Sequence, residues 1–134
     1  MEDHLVKSHR DLIAWRKAIS LVVEIYDVTV RFPKHELYGL TSQLRRAAVS
    51  VASNVAEGHG RTTSGEFVQF LGQARGSLCE IETQIIIARE LVYIDGQQES
   101  RLIARVDELG RILNGLIGSI KSRKLQRATL TPRP

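Results

Sequence analysis

The sequence predicts an all-α protein, an antiparallel up-down-up-down four-helix bundle, and three observations carry that reading. Prolines occur only at 33, 132 and 134, so residues 34–131 contain nothing that forbids long helices. Apolar residues recur at steps of three and four along several long segments, the period of a helix with one buried face. No segment alternates apolar and polar residues at the strand period.

The first helix is expected to begin after Asp11, a good N-cap, and to run to about residue 32 with Trp15, Ile19, Val22, Val23, Tyr26 and Val30 at helical spacing. "FPKHELYG" forms the connection, Pro33 ending the helix. The second is expected over about 41–57, stopping at Gly58 and Gly60. Thr63 followed by Glu66 reads as a capping box that opens the third. There Phe67, Leu71, Ala74, Leu78, Ile81, Ile85, Ala88 and Val92 alternate steps of four and three, a sustained heptad seam. "IDGQ" interrupts it, and Leu102, Val106, Leu109, Leu113, Leu116 and Ile120 resume the rhythm in a fourth helix. Short connections make sequence neighbours antiparallel. The bundle, with a short N-terminal extension, thus takes residues 1–120 and leaves 121–134 as a basic C-terminal tail.

A chain of 134 residues is long enough for one domain with a real core. Its 25% charged and 43% apolar residues are ordinary for a soluble globular protein, and no apolar run approaches the roughly 20 residues that span a bilayer. The first thirty residues lack the pattern of a signal peptide, so a cytoplasmic location and no membrane partner are expected. Cys79 is alone and has no intrachain disulfide partner. The net charge of +4 is unevenly spread: Lys121, Arg123, Lys124, Arg127 and Arg133 follow Ile120 with no acid among them, so the preceding chain carries a formal −1. The sequence pI of 9.6 therefore describes a basic tail on a near-neutral body, which reads equally as a solvated terminus or a phosphate-binding element.

On a helical wheel the second helix has two apolar sides. Leu40, Leu44, Ala47, Ala48, Val51 and Val55 suit the core, whereas Val49, Ala52 and Ala56 gather nearly opposite, beside Arg45. Gln43, Arg46, Ser50, Ser53, Asn54 and Glu57 form a polar strip between them. A bundle helix needs one apolar stripe. The second lets another helix approach, from the same subunit or a neighbour, and Val49, Ala52 and Ala56 are assigned to a subunit contact. Gly72 and Gly76 on the third helix, and Gly110, Asn114 and Gly118 with Gly115 beside them on the fourth, repeat the hint, since each mid-helix glycine costs about 1 kcal/mol relative to alanine.

The run "FPKHELYGLTSQLRRAAVSVASNVAEG" and the later "EFVQFLGQARGSLCEIETQIIIARELVYI" resemble the four-helix-bundle family named after proteins encoded in 23S ribosomal RNA intervening sequences, over about residues 11–120. The resemblance implies an antiparallel bundle assembled as a homopentamer. It also implies a relation to accessory proteins of diversity-generating retroelements, whose partners are RNA or DNA and a reverse transcriptase. Most of the family has no assigned biochemical activity.

Nothing in the sequence points to an enzyme or to a cofactor. The Glu-x-x-His pairs of di-iron bundles are missing, and His4, His9, His35 and His59 lie outside the expected helices or at their edges. "EGH" at 57–59 sets a carboxylate near an imidazole, but a helix-end residue and a loop histidine account for it, so no metal is expected. Phosphate-loop and nucleophile-elbow motifs do not occur, and Cys79 beside the seam reads as a packed, inert thiol. Two functional readings stay open. One is a nucleic-acid-binding accessory protein using Arg45, Arg46, Arg61, Lys121, Arg123, Lys124 and Arg127 for backbone contacts, without base stacking because no aromatics interleave with these cations. The other is a protein-interaction scaffold whose arginines, Arg46 above all, pair with acids at subunit contacts.

Overall fold

The computed structural model describes residues 8, 9 and 12–130, with side chains described as far as Arg123. Its four helices are α1 (Ile13–Thr29), α2 (Leu40–His59), α3 (Ser64–Glu90) and α4 (Gly96–Leu130), with a short 3-10 turn, Lys34–Glu36, between α1 and α2. Backbone contacts run α1–α2, α2–α3, α3–α4 and α4–α1, with none across either diagonal among the described residues. Partner numbers fall along one helix as they rise along the next. Arg89 meets Glu99, Leu78 lies by Gly110 and Arg75 bonds Asn114, so α3 and α4 are antiparallel. The same reversal relates α1 to α4, where Lys17 pairs with Glu108 and Glu24 with Arg101 and Arg105.

The heptad seam of α3 is buried from Leu71 through Ala88, and α4 answers with Leu102, Val106, Leu109, Leu113 and Ile120. Two residues depart from the expected register. Ile117 is buried where Leu116 is only partly so, because a straight helix drifts against a strict seven-residue repeat. Val92 is not in the seam at all. It lies just beyond α3 with φ 62°, a left-handed conformation that a β-branched residue adopts at a cost, and it is 78% exposed. That conformation lets the Tyr93 N–H reach back to the Ala88 carbonyl at 2.9 Å and close the end of the helix.

The core face of α1 differs more. Ala14, Ala18, Leu21, Ile25 and Val28 point inward. Ile19, Val23, Tyr26 and Val30 face out, with Trp15 and Val22 partly buried between. The helix carries two apolar arcs, and weighting large side chains over Ala14 and Ala18 selects the outer one. Asp11 lies outside the described residues; the N-cap position is Leu12, without a side-chain bond.

Helix α2 buries all six residues of its expected core side, and Ala52 as well at 6% exposure. Of the stripe of Val49, Ala52 and Ala56, Ala52 is therefore packed inside the subunit at the flank of the buried arc, whereas Ala56 is half-buried and Val49 stays exposed. Nor does Gly58 stop the helix, which continues to His59. A Cβ on Gly58 would lie 2.7 Å from Phe70 Cβ, so the glycine is there to let α2 and α3 approach. Gly72, Gly76, Gly115 and Gly118, by contrast, have nothing within 4 Å of an added Cβ, so close packing within the subunit does not account for them.

Helix ends are fixed by side chains the sequence partly advertises. Thr63 Oγ1 accepts from the Glu66 N–H at 3.1 Å, opening α3 as expected. Asp95 and Gln98 open α4 with a reciprocal pair, Gln98 N–H to Asp95 Oδ1 at 2.7 Å and Asp95 N–H to Gln98 Oε1 at 2.9 Å. At the start of α2 the Glu36 carboxylate accepts from the Leu40 N–H at 3.0 Å and from Tyr93 Oη–H at 2.8 Å. It thereby ties the α1–α2 connection to the α3–α4 connection. Phe32 packs on the Tyr93 ring at 5.3 Å, and a Cβ at Gly39 would come within 2.6 Å of Glu36 Oε1. The backbone bond, then the tyrosine bond, hold Glu36 below its ordinary pKa of 4.5.

Two predictions follow from this packing. Leu78→Ala removes a side chain 4% exposed at the centre of the seam and is expected to cost about 2–5 kcal/mol in chemical denaturation, against under about 0.5 kcal/mol for exposed Gln69→Ala. Because Glu36 has a depressed folded-state pKa, its contribution is complete above the unfolded value of 4.5 and is lost as pH falls through the folded value. Denaturation midpoints of wild type and Glu36→Gln should differ at neutral pH and converge in acid. Parallel curves would show that the carboxylate charge does not stabilise this corner.

Candidate nucleic-acid interface

The sequence offered seven cations, and the fold divides them. Arg45 is on the α1-facing flank of α2, where its Nε donates to Thr29 Oγ1 at 2.9 Å and its guanidinium lies 4.6 Å from the Tyr26 ring centroid. The Thr29 hydroxyl in turn donates to the Ile25 carbonyl at 2.7 Å. Arg45 is thus held by α1, half-buried, and joins two helices before it meets any ligand. Arg61, just past α2, pairs with Glu57 at 2.8 Å and lies over the Phe70 ring at 4.7 Å. His59 turns to the Phe67 ring instead, so Glu57 and His59 face different partners. Among the described residues no group of three or more His, Cys, Asp or Glu is gathered in a way that could hold a metal ion.

Arg46 is exposed and has no hydrogen-bond or ion partner among the described residues. It stands between two grooves. One, about 320 Å³ between α2 and α3, contains Gln43, Ser50, Ser77, Glu80 and Gln84. Ser50 and Ser77 hydroxyls bond across it at 2.9 Å, Asn54 donates to the Ser50 carbonyl, and Gln84 Oε1 is buried without a donor. The other, about 590 Å³, lies on the outer side of α1 and α2 and is lined by Tyr26, Tyr38, Ser42, Arg45, Arg46 and Val49 among others.

Lys121 and Arg123 are exposed on α4, with Arg123 Nε donating to the Ser119 carbonyl at 3.4 Å. The side chains of Lys124 and Arg127 lie outside the described residues. Their backbone does not: α4 continues to Leu130, so the segment read as a tail begins as ten further residues of helix. Because α3 and α4 are antiparallel, Lys121 and Arg123 lie toward the end of the bundle where α3 begins, away from the first turns of α2. The cations with described side chains therefore do not form one patch: Arg45 and Arg46 are at one end of the bundle, Lys121 and Arg123 toward the other.

Sequence reasoning missed the aromatics here. Tyr26 comes from α1 and Tyr38 from the turn before α2, yet the fold sets both beside Arg45 and Arg46. The helical spacing of Tyr38, Ser42, Arg45 and Val49 was the available signal. Cys79 is also differently placed: it is exposed, one step round the helix from buried Leu78, and borders a groove of about 310 Å³ with Gly110. No described helix is long and apolar enough to cross a membrane.

Comparison with known proteins agrees with this architecture. A crystal structure of a protein with unknown function from the S23 ribosomal protein family of Bacteroides thetaiotaomicron superposes with a TM-score of 0.71, at 19% identity, over 78% of this chain and 98% of that one. At that identity the likeness is one of fold. A comparison with curated proteins finds no match. The description of the 23S rRNA-intervening sequence proteins matches residues 10–115, most of the bundle, and the chain belongs to that family.

Proposed function

We propose that the chain is a non-enzymatic, homo-oligomeric accessory protein of the cytoplasm that holds RNA or DNA through phosphate contacts, with a reverse transcriptase or another protein as a further partner. The observation that carries the reading is the acid-free run after Ile120. Its first ten residues continue on the helical backbone of α4, so the cations among them are spaced along a helix, which lowers the backbone entropy lost on presenting them. Repetition in a pentamer would add avidity to a contact that is weak in one subunit. Supporting assembly, α1 leaves Val23 55% and Val30 72% exposed in one outer row with Ile19 and Tyr26, next to Val49 of α2.

One observation favours the scaffold reading instead. Arg46 and Glu80 border the same polar groove, and neither has an ion partner among the described residues, as expected if each meets the opposite charge on a neighbour.

Assembly is expected to appear in light scattering as a multiple of 15.0 kDa, and Val23→Asp to lower that mass without loss of helical circular dichroism, since Val23 faces away from the core. A wild type at 15.0 kDa would overturn the oligomer. Binding is to be followed by anisotropy of a labelled oligonucleotide across a salt series, where log K should fall with log salt by about 0.7 to 0.9 per phosphate contacted. Replacing Lys121, Arg123, Lys124 and Arg127 by glutamine keeps the helix while removing charge, and should flatten the slope. A slope untouched by these changes, or no binding at low salt, leaves the scaffold as the better reading.

A further inference from the structure

Building on the nucleic-acid reading above, we infer that the groove at the start of α2 is a subsite for a single-stranded nucleotide, in which Tyr38 stacks on a base and Arg46 contacts the adjoining phosphate.

Tyr38 is 93% exposed, an unusual state for a large aromatic in the turn before a helix, and its hydroxyl has no partner among the described residues. Its backbone position is fixed, because Gly39 N–H bonds to the Glu36 carbonyl at 2.9 Å and the Glu36 carboxylate caps α2. The ring is thus presented from a rigid corner. Ser42 and Val49 follow on the same face of α2, and Arg45, locked between Thr29 and Tyr26, forms the inner wall. The volume of about 590 Å³ falls within the range of small-molecule sites and suits one nucleotide.

Charge distinguishes this groove. It is bordered by two arginines and no carboxylate, whereas the grooves at Arg75, at Ser77 and at Gly76 each include an aspartate or glutamate. An apolar wall, a free aromatic face and uncompensated cations together match a group with a flat π-face and an anion, the two parts of a nucleotide. A duplex keeps its bases stacked inside, so only an unpaired strand can offer a base to Tyr38.

The test measures affinity for a labelled single-stranded RNA 20-mer and for its duplex, in wild type, Tyr38→Ala, Tyr38→Phe and Arg46→Gln. Tyr38 is exposed, so these changes leave the core intact. Tyr38→Ala is expected to weaken the single strand about 5- to 150-fold, the worth of one base stack, with duplex affinity and salt slope unchanged. Tyr38→Phe should retain binding, and Arg46→Gln should reduce the single-strand salt slope by about one phosphate contact. Equal single-strand affinity in wild type and Tyr38→Ala overturns the subsite while leaving phosphate binding at α4 in place. A fall in light-scattering mass in Tyr38→Ala overturns it in favour of a second copy covering the groove. Absence of all binding by wild type at low salt instead removes the nucleic-acid reading on which the subsite rests.

Discussion

The rest of the bundle depends on the close approach of α2 to α3. Gly58 against Phe70 sets the spacing at one end, and the Ser50–Ser77 hydroxyl pair fits between the helices farther along. Only small side chains permit such an approach, which explains why α2 is so rich in Ala, Ser and Val. With α2 and α3 fixed as an antiparallel pair, α1 can close over one side of the pair, where Arg45 meets Thr29 and Tyr26, and α4 over the other, where Gly110 lies by Leu78. The α1–α4 side is lined by charge: Glu24 lies against both Arg101 and Arg105, at 3.5 and 2.7 Å. Such partly exposed pairs add register more than stability.

Much of the architecture was legible from the sequence because periodicity encodes burial directly. The α3 seam from Leu71 to Ala88 and the α2 core side could be read off residue by residue, and the Thr63–Glu66 cap by its spacing. The face of α1 could not. Its two apolar arcs are similar in hydrophobicity, and the decision between them belongs to partners on α2 and α4 that the α1 segment does not name. Ala52 failed for a related reason: a wheel assigns angles, but the width of a buried arc depends on how near the neighbouring helix comes.

The candidate site was legible only in part. Composition located the cationic run after Ile120, but a count of charge says nothing about helical continuation to Leu130. Arg45 and Arg61 looked like ligand contacts in the sequence and are held by Thr29 with Tyr26, and by Glu57 with Phe70. Arg46, adjacent in sequence to Arg45, points elsewhere because one step on a helix turns about 100°. The tyrosines of the outer groove come from separate segments, and tertiary structure alone unites them.

The corner at Val92 has a consequence for how the two connections are coupled. Tyr93 reaches Glu36, a residue 57 positions earlier, while the left-handed Val92 beside it is held by backbone bonds to Arg89 and, through Tyr93 N–H, to Ala88. The α3–α4 turn is closed by local bonds, and the Tyr93 hydroxyl is the long-range contact that joins it to the α1–α2 connection, across a span with a high loop-closure cost. A change in either connection is thus felt in the other, as at the two halves of one clasp.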